Sequence, residues 1–406
     1  MTTRDLIWKF VWAVWIGGGA VISLALTNAQ AGRAGQEDLE FDSGFAQVRA
    51  MTRLRSGQLI LAGANMTVPP EATSRELVSI GPNGAIDTSF AAGKAEQAGQ
   101  AGSVDGVIEL SDDRLFVFGT FSTFGGHVTF GLARLHADGA ADTTFEMPEV
   151  EALDVIGGSP QSGLAIKYRT ESGDIAAGIV PPGASSLGDL IALDELAEYT
   201  EVQFQSDGAI VGLADSLRSI RRLLSDGSID PAFEIPVSPE GIQGFKVIED
   251  DSILVWPSPI DEIATLGMVK LLPNGMLDTT FNPVATAELI SVLPDGRLLA
   301  YVGERVLTIL DANGNVDKGF TSRPNFDIVE ATVDDNGDIL ALLPEFDGQG
   351  KLIRLLGKSD PLEAPLLTGR AIGTGLTHLS WSGVEGAVTY IVEQSVDGWV
   401  SGQKDV

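Results

Sequence analysis

The chain has 406 residues and a formal net charge of −30, from 56 acidic and 26 basic side chains. Such a surface repels phosphate backbones, which proteins bind with clustered lysine and arginine, so nucleic acid and anionic membranes are excluded as expected partners. The absence of cysteine excludes disulfides, thiolate metal sites and a cysteine nucleophile. The 48 glycines recur at turn-like positions, a pattern typical of short strands joined by tight turns.

The N-terminus is typical of an export signal. Arg4 and Lys9 precede an apolar run at 10–26, and Ala29-Gln30-Ala31 has the small-x-small pattern of a cleavage site. An uncleaved membrane anchor is the alternative, because the run approaches the length of about 20 residues that spans a bilayer. Glycines inside the run and the cleavage pattern favour a signal peptide over residues 1–31. We therefore expect a secreted or cell-surface protein, with the periplasm as the alternative location and no membrane contact beyond this signal.

A short motif, Asp-x-x-Phe, recurs from residue 42 to about residue 360. The aspartates are 39 to 55 residues apart, except for one gap of 88 that holds a degenerate copy at Asp189. A last copy is expected near Asp360. Such a period is the signature of a repeat architecture. The regular copies are Asp42/Phe45, Asp87/Phe90, Asp142/Phe145, Asp230/Phe233, Asp278/Phe281 and Asp317/Phe320.

Hairpin turns provide a second, independent count of the repeats. Asn-Gly and Asp-Gly pairs precede most copies of the motif, and both residue types tolerate a positive φ. Another turn, followed by an apolar strand, occurs once in each interval. The strands after these turns are continuous apolar runs, which predicts burial of both faces. The seven turns are Ser56-Gly57, Asp112-Asp113, Ser162-Gly163, Asp207-Gly208, Asp250-Asp251, Asp295-Gly296 and Asn336-Gly337.

Repeats of about 45 residues with about four short strands each are typical of a β-propeller, which has 4 to 8 blades. The sequence therefore predicts an all-β protein, with a seven-bladed β-propeller over residues 32–363. The chain enters at 39–45 with the final part of a repeat, and its last repeat ends at 352–356. We expect the entering segment to complete the last blade, which would close the ring and remove both sheet edges.

The repeat resembles the delta-60 repeat, a family found in exported bacterial proteins. The resemblance covers most of residues 42–360, although the third and seventh copies depart from the pattern. It implies a propeller-like, extracytoplasmic protein, and it carries over no catalytic residues because the motif is structural. The best-matching stretches are 117–121, 132–135, Asp138-Gly139, 142–145 and the Leu-Pro-Asp-Gly at 293–296.

Residues 364–406 lack the repeat motif. Two stretches, at 376–381 and 388–393, alternate as half-buried strands. With Trp381 and Tyr390, they resemble the first half of a fibronectin type III domain. A complete sandwich of that kind needs about 100 residues, so the resemblance implies a short, partial β-sandwich-like segment.

One stretch could bind calcium. Asp311, Asn313, Asn315 and Asp317 place oxygen-bearing side chains on alternate residues, as oxygen-rich calcium loops do. A second candidate lies at 334–338. Both stretches also fit hairpin turns, because Asn and Asp favour turns without any metal. Calcium is the one cofactor that the sequence allows us to propose.

No catalytic residue is predicted. His127, His136 and His378 lack a second histidine at metal-ligand spacing, and we interpret them as surface or packing residues. The sequence contains neither a Gly-x-Ser-x-Gly elbow nor a phosphate-binding loop. The repeated aspartates are expected to cap turn N–H groups, and the phenylalanines are expected to pack between blades.

The leading hypothesis is a non-enzymatic binding or interaction module that presents propeller loops to an extracellular glycan or protein. Insertions at 64–75, 91–105 and 121–130 are the predicted binding rim, because functional loops vary on a constant scaffold. One alternative is an extracellular polysaccharide-active enzyme with a carboxylate-based site. Another is a purely structural surface spacer.

Overall fold

The computed structural model divides the chain into two compact units, residues 1–36 with 356–406 and residues 37–355. Predicted features at Asp42, 82–84 and Asp360 lie outside the described residues. Those are 13–16, 20–29, 34–38, 44–68, 73–81, 85–150, 153–170, 172–214, 219–233, 235, 242–256, 267–282, 287–303, 305–322, 327–334, 336–344, 350–357, 367–373, 376–381 and 387–395.

The described residues form strands and two short 3-10 helices. The helices are Leu187–Asp189 and Asp194–Glu198. The strands are β1 (Ala13–Ile16), β2 (Ala20–Ala29), β3 (Ala46–Arg53), β4 (Leu59–Val68), β5 (Thr73–Ile80), β6 (Ala95–Gln97), β7 (Gln100–Ala101), β8 (Ser103–Glu109), β9 (Leu115–Thr120), β10 (Thr123–Phe124), β11 (His127–Val128), β12 (Leu132–Leu135), β13 (Leu153–Ser159), β14 (Gly163–Arg169), β15 (Ile175–Val180), β16 (Ile191–Ala192), β17 (Tyr199–Phe204), β18 (Ile210–Ala214), β19 (Ser219–Leu223), β20 (Gly244–Val247), β21 (Ile253–Trp256), β22 (Val269–Leu271), β23 (Glu288–Val292), β24 (Leu298–Val302), β25 (Val306–Leu310), β26 (Val316–Ser322), β27 (Glu330–Val333), β28 (Ile339–Leu342), β29 (Leu352–Leu355), β30 (Leu367–Gly373), β31 (Leu376–Trp381) and β32 (Ala387–Ser395).

The smaller unit contains two sheets among its described residues. One has the order β1-β2-β32 and the other pairs β30 with β31. Strands β31 and β32 lie at the two C-terminal positions predicted from the alternating pattern, whereas the fibronectin-like sandwich stays a prediction. Export also stays a prediction. Within the described ranges, no helix has the length and apolar character needed to cross a bilayer.

The larger unit is a succession of antiparallel sheets, numbered here along the chain. Sheets 3 and 6 have four strands and the others have three. The sheets are sheet 1 (β3-β4-β5), sheet 2 (β8-β9-β12), sheet 3 (β13-β14-β15-β16), sheet 4 (β17-β18-β19), sheet 5 (β20-β21-β22), sheet 6 (β23-β24-β25-β26) and sheet 7 (β27-β28-β29). A further small sheet, the insertion sheet, has the order β11-β10-β6-β7.

The hairpin between the first and second strand of each numbered sheet has the predicted turn. Its second turn residue has a positive φ in every sheet, because the chain reverses within two residues there. These residues are Gly57, Asp113, Gly163, Gly208, Asp251, Gly296 and Gly337. Each second strand begins with at least three consecutive buried residues, as the continuous apolar sequences predicted.

The predicted fourth strand is shortened in several sheets to a single bridge before the Asp-x-x-Phe motif. These bridges are Ile80–Ile86, Leu135–Ala141, Leu223–Ile229 and Leu271–Leu277. The sixth copy differs, since Asp317 lies inside strand β26 and not in a turn. Phe320 of that copy is nevertheless buried.

Neighbouring sheets share apolar clusters, so they stack face to face. Ile60 and Leu77 of sheet 1 lie in one cluster with Val107 and Leu115 of sheet 2. Similar clusters join sheets 2 and 3, 3 and 4, 4 and 5, and 5 and 6. Each fully buried aliphatic side chain contributes about 1.5–3 kcal/mol to the stability of such a stack.

Sheets 7 and 1 also share a cluster, although they come from opposite ends of the unit in sequence. Leu340 and Leu352 of sheet 7 pack there with Leu59 of sheet 1 and with Phe45, which is 4% exposed. The Met51 N–H of sheet 1 donates to the carboxylate of Glu330 in sheet 7 over 3.2 Å. The first and last sheets are therefore in direct contact.

The entering segment pairs with the last sheet on both sides of the predicted range 39–45, at Glu37 and at Ala46. Glu37 forms an antiparallel bridge with Leu355, and the Asp38 N–H donates to the Arg354 carbonyl over 2.8 Å. The Asp142 N–H makes the same contact with Arg134 in sheet 2. Asp38 therefore occupies in sheet 7 the position that Asp142 has in sheet 2, whereas Asp42 lies outside the described residues.

Candidate functional site

The Asp-x-x-Phe motif forms a turn that its aspartate closes. Asp142 Oδ1 accepts hydrogen bonds from the Thr144 N–H at 3.0 Å and from the Thr144 hydroxyl at 2.6 Å. The Phe145 N–H donates to the Asp142 carbonyl over 3.2 Å. Asp87, Asp230 and Asp278 accept the equivalent N–H bonds in their own turns. This is the capping role predicted from the sequence. The aspartates therefore stabilise the turns of the repeat.

The phenylalanine of the motif packs on the hairpin turn of the following repeat. A Cβ atom at Gly139 would lie 3.0 Å from the Phe90 ring, and one at Gly275 would lie 3.0 Å from the Phe233 ring. The backbone continues the contact, since the Ala91 N–H donates to the Asp138 carbonyl over 2.7 Å. Glycine is therefore required at this position for two reasons: the backbone has a positive φ, and the phenylalanine ring leaves no room for a side chain.

The degenerate copy at Asp189 has no phenylalanine, and other residues form its turn and its contact with the next repeat. Asp189 accepts the Ser185 N–H at 2.6 Å and closes a capping box with Ser186 on the helix Leu187–Asp189. Leu193 then contacts the turn glycine of the next repeat, Gly227, where the other copies place a phenylalanine ring. A leucine thus replaces the aromatic ring at this junction.

A buried ion pair strengthens the motif of sheet 2, Asp142/Phe145. Arg134 Nε lies 2.7 Å from Asp142 Oδ2, and Arg114 Nη1 lies 3.1 Å from the same oxygen. Burial alone would raise the pKa of Asp142, but hydrogen bonds from Thr144, Arg134 and Arg114 outweigh it and hold that pKa well below its ordinary value. All of these groups satisfy one another, so the cluster stabilises the turn.

The calcium candidate adopts the conformation of a capped turn. Asp311 Oδ1 accepts the N–H groups of Asn313 and Asn315, each over 2.9 Å. The Asn315 side-chain amide donates to Asp311 Oδ2 over 2.9 Å. Asp317 is exposed on β26. In the part of the chain that the structure describes, no three His, Cys, Asp or Glu residues converge as metal ligands do. Calcium binding here stays a prediction.

Two of the predicted histidines lie at the surface. His127 is exposed on β11, and His136 is exposed in a turn where its N–H donates to the Ala140 carbonyl over 2.8 Å. The His378 side chain lies outside the described structure.

Two of the three predicted insertions meet in the insertion sheet. Residues 91–105 supply β6 and β7, and residues 121–130 supply β10 and β11. Phe124 anchors this sheet, because its side chain is only 1% exposed and packs edge-on against Phe121. The tip is open to solvent, where Val128 is 63% exposed.

The third insertion, 64–75, extends the hairpin of β4 and β5 and ends beside the insertion sheet. Glu76, which follows it directly, is 4% exposed and accepts a hydrogen bond from the Ala95 N–H of β6. Burial raises the pKa of Glu76 above its ordinary value. Its buried carboxylate thus fixes the insertion sheet to sheet 1.

An open pocket of about 460 Å³ lies beside this rim, between the insertion sheet and the motif turn of sheet 2. His127 and Val128 form one wall, and Glu146 and Ser186 are among the groups opposite. A volume of this size is within the range of ligand pockets. The predicted rim therefore includes a concave surface suited to ligand contact.

A second pocket, of about 300 Å³, is lined by first strands of sheets 1, 5, 6 and 7 together with Trp256 of β21, and we call it the central pocket. Arg53, Lys246 and Glu330 line it. Burial raises the pKa of Glu330. The hydrogen bond from the Met51 N–H and the charge of Lys246 act in the opposite direction, but burial has the larger effect. Sequence reasoning missed this pocket, because its charged residues are up to 277 positions apart and belong to no local motif.

A family model described as "Domain of unknown function (DUF5122) beta-propeller" matches residues 110–145 and 205–233. Both stretches end at the phenylalanine of an Asp-x-x-Phe motif, Phe145 and Phe233. No curated protein matches the chain.

Several solved structures are similar in fold. A catalytically inactive virginiamycin B lyase from Staphylococcus aureus with quinupristin is 14% identical, with 82% of this chain and 99% of that chain covered and a TM-score of 0.46. The Cps50 (Swd1) β-propeller domain of Myceliophteria thermophila is 9% identical, with 77% and 99% covered and a TM-score of 0.41. YCF48 bound to a D1 peptide is 11% identical, with 86% and 99% covered and a TM-score of 0.43.

The two matched stretches correspond to parts of sheets 2 and 4 with their motif turns. Antiparallel sheets of the same kind follow one another through the larger unit, from residue 37 to residue 355. The match and this succession of sheets identify the chain as a β-propeller protein.

Proposed function

We propose that this chain is a non-enzymatic binding module that presents its insertion sheet to an extracellular glycan or protein. In this proposal the seven numbered sheets are the blades of one propeller built from delta-60-type repeats. The N-terminal segment directs export, so that the module acts outside the cell, and the C-terminal segment is a partial fibronectin-like neighbour.

The observation that carries the proposal is the meeting of three insertions at one place. None of them is needed for the repeat, since the other sheets form without them. Their buried anchors, Glu76 and Phe124, hold them in one arrangement, while His127 and Val128 stay exposed beside the 460 Å³ pocket. A rigidly held and exposed loop surface is what a binding protein needs, because less conformational freedom is lost on association.

The polysaccharide-active enzyme receives less support. Glycosidases act with two carboxyl groups on either side of the scissile bond. Among the described residues that line the central pocket, Glu330 is the one carboxylate, and the other ionisable groups are the cations Arg53 and Lys246. A purely structural spacer does not account for two pockets of ligand size.

The test is a binding screen of the purified full chain against bacterial and algal polysaccharides and against proteins of the same surfaces, with and without calcium. Val128→Asp places a charge at the exposed tip of the insertion sheet. We expect this variant to lose binding to the best ligand by about tenfold or more, as hot-spot substitutions do.

Val329→Asp is the matched control, since Val329 is also a valine with a highly exposed side chain, 57% against 63%. Val329 precedes β27, away from the insertion sheet. Equal losses in the two variants would contradict the assignment of the surface. Absence of any saturable ligand in the screen would contradict the binding function and leave the spacer.

A further inference from the structure

The central pocket is lined by two cations that form no ion pair with a carboxylate among the described residues. Eleven described lysines and arginines form ion pairs, as expected in a chain with 56 acidic residues. Arg53 and Lys246 form none with the described residues, although both line the same cavity. Arg53 donates one N–H to the Val333 carbonyl, which leaves most of its five donors for another acceptor.

Glu330, the one carboxylate among the described lining residues, does not neutralise these cations. Glu330 accepts the Met51 N–H and forms no ion pair with any lysine or arginine that the structure describes. With Glu330 ionised the three groups sum to one positive charge, and with Glu330 protonated they sum to two. Burial favours the protonated carboxyl because it raises the pKa of Glu330. The pocket is therefore positive inside a strongly negative protein.

Charged groups in a concave site with low-dielectric walls attract counter-charge more strongly than the same groups on an open surface. A guanidinium fork matches the two oxygens of a carboxylate, and an ammonium adds a point charge from another direction. Trp256 supplies an apolar wall beside them. A volume of about 300 Å³ is at the small end of ligand pockets.

We propose that the central pocket binds a small organic carboxylate of about the size of one sugar acid, held by Arg53 and Lys246 against Trp256. Glu330, when protonated, donates a hydrogen bond to the bound anion, and when ionised it repels the anion. This site is separate from the insertion sheet, so its test does not depend on the binding surface proposed there.

The test is a calorimetric titration of the full chain with glucuronate, with glucose as the neutral probe of similar size and inorganic phosphate as a second anion. We expect saturable binding of glucuronate and none of glucose. Lys246→Met should weaken glucuronate binding by about tenfold or more, while Glu330→Gln should keep or strengthen it. Lys94→Met is the matched control because Lys94 is an exposed lysine of the insertion region, and it should bind as the wild type does.

Each other outcome overturns the proposal. Equal binding of glucose and glucuronate would show that charge is not recognised. Equal effects of Lys246→Met and Lys94→Met would show that the anion binds elsewhere. Phosphate binding without glucuronate binding would contradict the carboxylate assignment, and a folded chain that binds neither anion up to about 50 mM would contradict the site altogether.

Discussion

Arg354 Nε donates to Asp38 Oδ2 over 2.9 Å and so joins two residues 316 positions apart. The equivalent pairs in other sheets are local, with Arg134 and Asp142 eight residues apart and Arg222 and Asp230 also eight apart. In sheets 2 and 4 the motif aspartate comes from the turn that follows the arginine in sequence. In sheet 7 the corresponding aspartate is Asp38, which comes from the N-terminal end of the unit.

Asp38→Ala should lower the free energy of unfolding by about 1–3 kcal/mol, because it removes the nearest carboxylate of the partly buried Arg354. The other acidic neighbours of Arg354, Asp334 and Asp338, lie 3.9 and 4.0 Å away. Urea unfolding of the full chain measures the effect. Asp154→Ala is the control, since Asp154 is 67% exposed and lies 3.7 Å from Lys167. An exposed pair of this kind contributes about 0–1 kcal/mol. Equal losses in the two variants would contradict a special role for Asp38.

Phe281→Ala should lower the free energy of unfolding by about 3–5 kcal/mol, the cost of removing a buried aromatic ring. Phe281 is 7% exposed and belongs to the cluster shared by sheets 5 and 6. Met276→Ala, at a residue that is 63% exposed in the neighbouring turn, should change it by less than about 1 kcal/mol. A melting temperature unchanged by Phe281→Ala would show that the ring is not part of the core.

Gly275→Ala and Gly296→Ala separate the two reasons for a glycine in these turns. Both glycines have a positive φ, of 87° and 81°. A Cβ at Gly275 would contact the Phe233 ring, whereas a Cβ at Gly296 would meet nothing within 4 Å. We expect Gly296→Ala to cost about 1–2 kcal/mol for the backbone conformation and Gly275→Ala to cost more. Chemical denaturation would contradict the packing of Phe233 on the turn if both costs were the same.

Asp142→Asn should remove a pH-dependent part of the stability. Because the pKa of Asp142 is lowered in the folded protein, its contribution is fully present above the unfolded pKa of about 3.9 and is lost as the pH falls below it. At neutral pH the variant should be less stable by about 3–5 kcal/mol, the cost of breaking a buried pair. Unfolding measured from pH 7 down to about pH 3 should show this difference shrinking. A constant difference would contradict the assignment.

The hairpins could be predicted because their physical requirement is local. A reversal within two residues needs a positive φ, and glycine, asparagine and aspartate provide it at Gly57, Asp113 and the corresponding turns. The stacking of sheets could be predicted for a similar reason, since only a strand buried on both faces tolerates a continuous apolar run.

The remaining features depend on contacts that a local pattern does not contain. Residues 38–45 hold two consecutive Asp-x-x-Phe motifs, beginning at Asp38 and Asp42, and only the pairing of Glu37 with Leu355 shows that Asp38 lies beside sheet 7. Leu193 replaces a phenylalanine because it reaches Gly227 in the fold. The insertions could be located as extra segments of the repeats, but their pairing into one sheet could not be predicted. The central pocket is lined by segments that are distant in sequence, so its residues gave no pattern from which a site could be predicted.

The central claim is that the entering segment completes sheet 7 and so joins the two ends of the larger unit. Glu37 and Leu355 face each other as an antiparallel pair, and such pairs have Cα separations of about 4.5–5.5 Å, which a disulfide can bridge. The chain has no cysteine of its own, so the double variant Glu37→Cys, Leu355→Cys contains one possible intramolecular disulfide.

Thiol titration and electrophoretic mobility under oxidising conditions measure that bond directly. We expect the double variant to lose both thiols and to migrate as a cross-linked monomer. The control Glu37→Cys, Leu310→Cys, which uses the corresponding strand end of sheet 6, should keep its thiols. Two reactive thiols in a folded Glu37→Cys, Leu355→Cys protein would contradict the pairing of the entering segment with sheet 7.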